Sequence, residues 1–197
     1  MARTPRAQAE TGYYHLITRG NNKKNLFHEY EDFEHYLRLL AQYVSITGIQ
    51  INHYCLMTNH THLLIHSEAP RAISQMMHGL QRSYVLFFRK KYQWTGHLFQ
   101  GRFKSLPIDR ETYLLECGRY IERNPVRANM VKEPGDWPHS SYHAYAFGKK
   151  IPSLTHSQAY LDLSDSEEKR QVLYRDYLNQ ARPYENLVDR LLAGERT

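Results

Sequence analysis

An α+β fold is predicted, a ferredoxin-like split βαβ sandwich in which helices cover one face of an antiparallel sheet. Three observations predict it. Alternating stretches rich in aromatic and β-branched residues are interleaved with apolar stripes at three- and four-residue spacing, in the order strand, helix, strand, strand, helix, strand. The two middle strands run almost directly into each other, as the arms of a hairpin do. A further helix and then a helical C-terminal extension follow the sixth element.

Residues 1–12 are basic and lack an apolar period, so a flexible N-terminus is expected. Residues 13–18 alternate and make the first strand. Arg19-Gly20-Asn21-Asn22-Lys23-Lys24-Asn25 is a turn by its Gly and Asn content and carries three cations. Asp32 is the expected cap of a helix whose stripe is Phe33, Tyr36, Leu37, Leu40, Tyr43 and Val44, ended by Gly48. Residues 49–57 and 58–66 read as two strands, with the join or a bulge at Thr58-Asn59.

Pro70 suits the first turn of a second helix, with Ile73, Met76, Met77, Leu80, Tyr84 and Phe87 inward and Arg82, Arg89, Lys90 and Lys91 outward. Residues 94–104 form a glycine-punctuated loop into a strand at 103–108. Asp109 is the expected cap of a third helix over 111–123, stopped by Pro125. A last helix is expected over 164–180 with Val172, Leu173, Tyr177 and Leu178 inward, then a short closing helix in 185–193. Residues 13–147 thus form one domain and 148–197 its helical extension.

Two cysteines, Cys55 and Cys117, exclude a disulfide framework and a four-cysteine zinc site. No apolar run reaches the length of a membrane span and the N-terminus has no signal-peptide core, so a soluble cytoplasmic protein without a membrane partner is expected. A formal charge of +6 with 16 Tyr suits a polyanionic partner, since cations meet phosphates and rings stack on unpaired bases.

His60-Thr61-His62 lies in the third strand, where alternation projects both imidazoles from one face. Two neutral imidazoles side by side make half of a divalent metal site; a pair of hydrogen-bonded strand histidines is the plain alternative. Tyr120 and Asn124 stand one turn apart on the third helix. Packed against the histidines, the Asn124 amide oxygen would be a third ligand and the Tyr120 hydroxyl a nucleophile for a phosphodiester. A buried helix tyrosine is the alternative for Tyr120, and Tyr113, Tyr142 and Tyr145 are rival nucleophiles. Arg19, Asn21, Arg82, Lys90, Lys91, Arg102, Lys104 and Arg127 are the candidate DNA contacts.

His60-Thr61-His62 is similar to the His-hydrophobe-His motif of single-strand nucleases with one catalytic tyrosine. Five stretches in order extend the likeness: Tyr13-Tyr14-His15 with Thr18-Arg19-Gly20-Asn21, Met57 to Leu64, Gly96 to Phe103, Arg119 to Ala128, and Trp137-Pro138-His139-Ser140-Ser141-Tyr142. Together they resemble the REP-associated tyrosine transposases, bacterial relatives of the small single-strand insertion-sequence transposases, over residues 13–147. The resemblance implies a ferredoxin-like fold with a catalytic helix and cleavage of single-stranded DNA beside palindromic-repeat hairpins. It implies Tyr120 as nucleophile, His60 and His62 as metal ligands with Asn124 as the third, and Mg²⁺ or Mn²⁺ as cofactor. Thr61 departs from the bulky apolar residue usual between the histidines, and Thr58 from a frequent proline. A nucleoid-associated endonuclease and strand transferase is therefore expected. A non-catalytic DNA-hairpin-binding descendant and a zinc-stabilised structural domain are the rival readings, and both monomer and homodimer suit the sequence.

Overall fold

A computed structural model describes residues 8–108, 110 and 113–180. Its sheet is built from β1 (Tyr13–Arg19), β2 (Gln50–Met57), β3 (His60–His66) and β4 (Lys104–Ile108), in the order β2-β3-β1-β4. Every neighbouring pair is antiparallel, so β1 is central between β3 and β4. This is the predicted sandwich.

Helices α1 (Tyr30–Thr47) and α2 (Pro70–Tyr92) cover one face. Their core takes in Tyr14, Leu16, Tyr54, Leu56, Leu63 and Ile65 from the strands, with Phe27, Tyr36, Met76, Met77 and Tyr84. Helix α3 (Leu114–Arg127) lies on the opposite face, where Cys55, Met57 and Leu64 meet Leu114, Cys117, Tyr120 and Ile121. Strand alternation alone sorts these side chains into two layers.

Alternation is interrupted once, by a bulge in β2. Ile51 pairs with Ile65, and the next pair is His53 with Leu64, leaving Asn52 extra. Ile51 thereby joins the α1/α2 core while His53 turns to the α3 side. The side-chain amide of Asn52 donates to the carbonyl of Thr155 at 2.9 Å.

Several boundaries differ from expectation, each for a local reason. Asp32 is not the cap of α1. Glu29 is, and Asp32 is the third residue of a capping box, its carboxylate accepting the backbone N–H of His28 and of Glu29. Phe88 rather than Phe87 is buried on α2; Phe87 stacks on His35. Thr58-Asn59 is the expected join of the two strands, a hairpin turn, so that β3 starts at His60 rather than at Thr58.

Pro125 does not stop α3, which continues to Arg127. Pro125 has no N–H to offer the preceding turn, yet the chain leaves the helix only at Asn129, whose φ of 53° is the left-handed conformation asparagine tolerates after a helix end. Two short helices, α4 (Tyr142–Phe147) and α5 (Gln158–Leu161), were not expected.

The last described helix, α6 (Glu167–Leu178), is capped by the Ser166 side chain. Tyr174 and Leu178 face inward, whereas Val172 and Leu173 are 45% and 36% exposed, against expectation. The run Val172-Leu173-Tyr174 is apolar all round, and a buried partner for the Tyr174 hydroxyl selects the face. The expected flexible N-terminus, the Asp109 cap and the closing helix in 185–193 fall wholly or largely outside the described residues. No described helix is long and apolar enough to cross a membrane.

A candidate tyrosine and histidine active site

Strand β3 leaves the two-residue turn with His60 first and His62 two positions on, both toward α3. Their ring centroids are 4.9 Å apart. His62 is fully buried. Its Nδ1 is 2.9 Å from Nε2 of His15, which lies diagonally across on the same face of β1, two residues from the His62 pairing partner Ile17. Its Nε2 is buried and has no hydrogen-bond partner. His60 has Nδ1 2.7 Å from Oδ1 of Asn59. As each Nδ1 is engaged, Nε2 is the nitrogen left to bind.

Burial holds these rings neutral. It lowers His15 to about 3, and together with the charge of Arg19 it lowers His60 to about 4. Burial also takes His62 well below the ordinary histidine value, helped by His60, His15 and Arg127. Neutral imidazole is the form that accepts a metal.

Helix α3 brings Tyr120 onto His62 and His15. Its ring stands edge-on to His62 at 5.7 Å and to His15 at 5.8 Å. The Arg127 guanidinium lies 5.0 Å above the Tyr120 ring. One turn on, the Asn124 side-chain amide donates to the Tyr120 carbonyl at 2.9 Å, so Oδ1 is the atom it has to offer a cation. Among the described residues no group of three His, Cys, Asp or Glu side chains gathers around one point. The donors these elements offer are the two imidazoles and, one turn beyond Tyr120, the Asn124 amide oxygen, and the buried Nε2 of His62, without a hydrogen-bond partner, suits a ligand role.

Beside His60 opens a cleft of about 360 Å³ lined by Ile17, Arg19, His60, Gln100, Gly101, Arg102 and Lys104. The three cations of this lining suit a phosphodiester strand. The loop before β4 is fastened there by backbone bonds, Gln100 N–H to Arg19 O and Asn21 N–H to Leu98 O. Asn21 therefore sits at the rim, exposed in a short 3-10 turn.

Arg19, Arg102 and Lys104 are gathered near His60, and Arg127 over Tyr120. Arg82, Lys90 and Lys91 belong to α2, across the sheet. Lys91 is engaged there: its ammonium pairs with Glu31 and Asp32 at 2.8 Å each, and with Glu29. Of the rival tyrosines, Tyr145 is fully buried with its hydroxyl on the Asn52 carbonyl, Tyr142 lies on α4, and Tyr113 precedes α3 at 40% exposure. Sequence reasoning assigned no role to His15 or Asn59. Strand alternation put His15 on the correct face, but only the pairing of β1 with β3 shows what it meets.

The family model described as transposase IS200-like matches residues 8–124, more than half of the chain. The chain belongs to the IS200-like transposase family. Its fold is similar to a solved REP-associated tyrosine transposase bound to a REP hairpin, with a TM-score of 0.61 and 19% identity over 80% of this chain and 93% of that one. A second solved structure, a protein from Deinococcus radiodurans R1 assigned as a transposase, matches at a TM-score of 0.43 and 19% identity, covering 62% of this chain and 97% of that one. No curated protein matches the sequence significantly. Within the family's span fall β1 to β4, the histidine pair and Tyr120.

Proposed function

We propose that this transposase-family protein is a metal-dependent single-strand DNA endonuclease and strand transferase that acts beside hairpins, with Tyr120 as its nucleophile. The observation that carries the reading is the Tyr120 ring held edge-on to His62, 5.7 Å away, where the His62 Nε2 is buried without a partner. His15 and His53 also bury an unpartnered ring nitrogen, so it is the conjunction of that nitrogen in His62 with the Tyr120 ring and the cationic cleft that supports the reading. The hairpin-bound state of the solved protein of like fold supports hairpin-bearing DNA as the substrate.

In this reading the Tyr120 oxygen attacks phosphorus as it loses its proton, the bond from phosphorus to the 3′ oxygen breaks, and that oxygen takes up a proton to become a hydroxyl. The products are a 5′-phosphotyrosine and a free 3′ hydroxyl. A 3′ hydroxyl from another strand reverses the step and releases Tyr120. Both steps exchange one phosphoester for another, so no nucleotide triphosphate is consumed. His60, His62 and Asn124 would hold Mg²⁺ or Mn²⁺, which supplies neutralisation of phosphate charge. Arg19, Arg102 and Lys104 hold the strand along the cleft, and Arg127 sets the phenol ring from above.

Incubating the protein with labelled hairpin-bearing single strands and Mg²⁺ or Mn²⁺ tests this. A covalent protein–DNA adduct that Tyr120→Phe abolishes is expected. Hairpin binding with no adduct under either metal would make the protein a non-catalytic hairpin binder instead.

A further inference from the structure

The proposed chemistry makes no use of Glu122, which is fully buried two residues beyond Tyr120. Its Oε1 accepts from the Ser141 hydroxyl at 2.6 Å and lies 2.9 Å from Nδ1 of His53. Its Oε2 accepts from the Tyr174 hydroxyl at 2.9 Å. The three partners come from β2, from the residue before α4, and from α6. One turn earlier on α3, Gly118 lies against the same imidazole, and a Cβ there would fall 2.6 Å from the His53 ring. That ring also stacks on Tyr145 at 4.0 Å. At the far end, the Leu178 carbonyl of α6 accepts from Arg123 at 2.9 Å.

This cluster is not a second nucleophilic centre. Ser141 gives its proton to the carboxylate, and Ser141, His53 and Glu122 are all sealed from solvent. A buried carboxylate is costly unless every oxygen is met. Here both are met, and by groups fixed in three separate elements, so the carboxylate finds its partners at one depth and one rotation of α3. Residues on a helix are locked to each other at about 100° per step, so fixing Glu122 also fixes the direction of Tyr120.

We propose that Glu122 is a positioning residue for Tyr120: by tying α3 to β2 and to α6, it sets the rotation that aims the phenol at His62. The inference rests on Tyr120 being the nucleophile. A displacement of about 1 Å at a reacting atom can cost about 100-fold in rate.

The test uses the full chain and three variants, Glu122→Gln, Tyr174→Phe and Tyr120→Phe. The probe is a labelled hairpin single strand with Mn²⁺, and the measurements are single-turnover adduct rate, strand Kd and melting temperature. Glu122→Gln is expected to slow adduct formation roughly 10- to 100-fold with Kd unchanged. Tyr174→Phe, which keeps the ring and removes one donor, is expected to slow it by a smaller factor, and it carries the test if Glu122→Gln does not fold. Unchanged rates in the folded variants overturn the inference. So does a rate loss that vanishes once the unfolded fraction is subtracted, since that is ordinary packing. A wild type that forms no adduct, or an adduct that survives Tyr120→Phe, overturns the functional reading and this inference with it. Variants that match an active, Tyr120-dependent wild type overturn this inference alone.

Discussion

Nε2 of His15 lies 2.9 Å from Nδ1 of His62, and both rings are fully buried. His15 is thus the group that orients a proposed ligand from behind. His15→Phe keeps a flat, somewhat larger ring and removes both nitrogens. It should weaken Mn²⁺ binding about 10- to 100-fold, as loss of an outer partner of a ligating histidine does, with little change in circular dichroism. Calorimetric titration with Mn²⁺ checks this, and unchanged affinity would remove His15 from the site.

Tyr120→Phe should abolish cleavage and adduct formation while strand binding persists, because the phenyl ring keeps its place against His62. Tyr113→Phe and Tyr142→Phe should cleave normally. An adduct lost in Tyr113→Phe and kept in Tyr120→Phe would transfer the nucleophile to residue 113.

His60→Ala and His62→Ala should each reduce cleavage by orders of magnitude with the fold retained, since each removes one donor from a site with few others. Full activity of the double variant at ordinary Mg²⁺ would sink the metal site.

Cations on the two sides of the sheet should behave differently. Arg102→Ala with Lys104→Ala should flatten the log–log salt dependence of single-strand binding by about 0.7 for each phosphate no longer neutralised. Lys91→Ala should leave that slope alone and destabilise the fold by about 1–2 kcal/mol, because Asp32, fully buried, loses its cation. Filter-binding titrations and urea melts separate the two outcomes. A flattened slope in Lys91→Ala would place α2 on the DNA path.

Acid should weaken the fold through His139. Its ring stacks flat on Phe33 at 3.7 Å, and burial lowers its pKa from 6.5 to about 4. Between those values the unfolded chain binds a proton that the folded chain refuses. Stability from this group is therefore complete above pH 6.5 and is lost as pH falls toward 4. Urea melts of metal-free protein at about pH 7.5 and about pH 5, on either side of the unfolded value, should show a smaller acid loss for His139→Phe than for wild type. Equal losses would show that His139 is not the titrating group.

The element order and the two-layer division were legible because alternation and helical spacing are properties of neighbouring residues. The candidates His60, His62 and Tyr120 were singled out by the same local patterns, and the structure brings Tyr120 against His62. The bulge at Asn52 could not. Nothing in the run from Ile49 to Met57 marks an extra residue, yet it turns His53 toward Glu122. Pro125 misled because the breaking rule considers only the missing N–H, whereas the exit from α3 is made by Asn129. The inward face of α6 was misread because Val172 and Leu173 are as apolar as Tyr174, and the choice is made by a carboxylate on another helix. The partners of Lys91 are 59 to 62 residues away in sequence, beyond any local pattern.

The sheet also acts as a partition. The large core of Phe27, Tyr36, Met76 and Tyr84 lies across it from the histidine pair. Chemical competence and structural integrity can consequently fail in separate mutational events. On the proposed function, a descendant gene that has shed Tyr120, His60 and His62 keeps the larger of the two cores intact, so such a lineage can decay as an enzyme and still hand selection a folded protein to reuse.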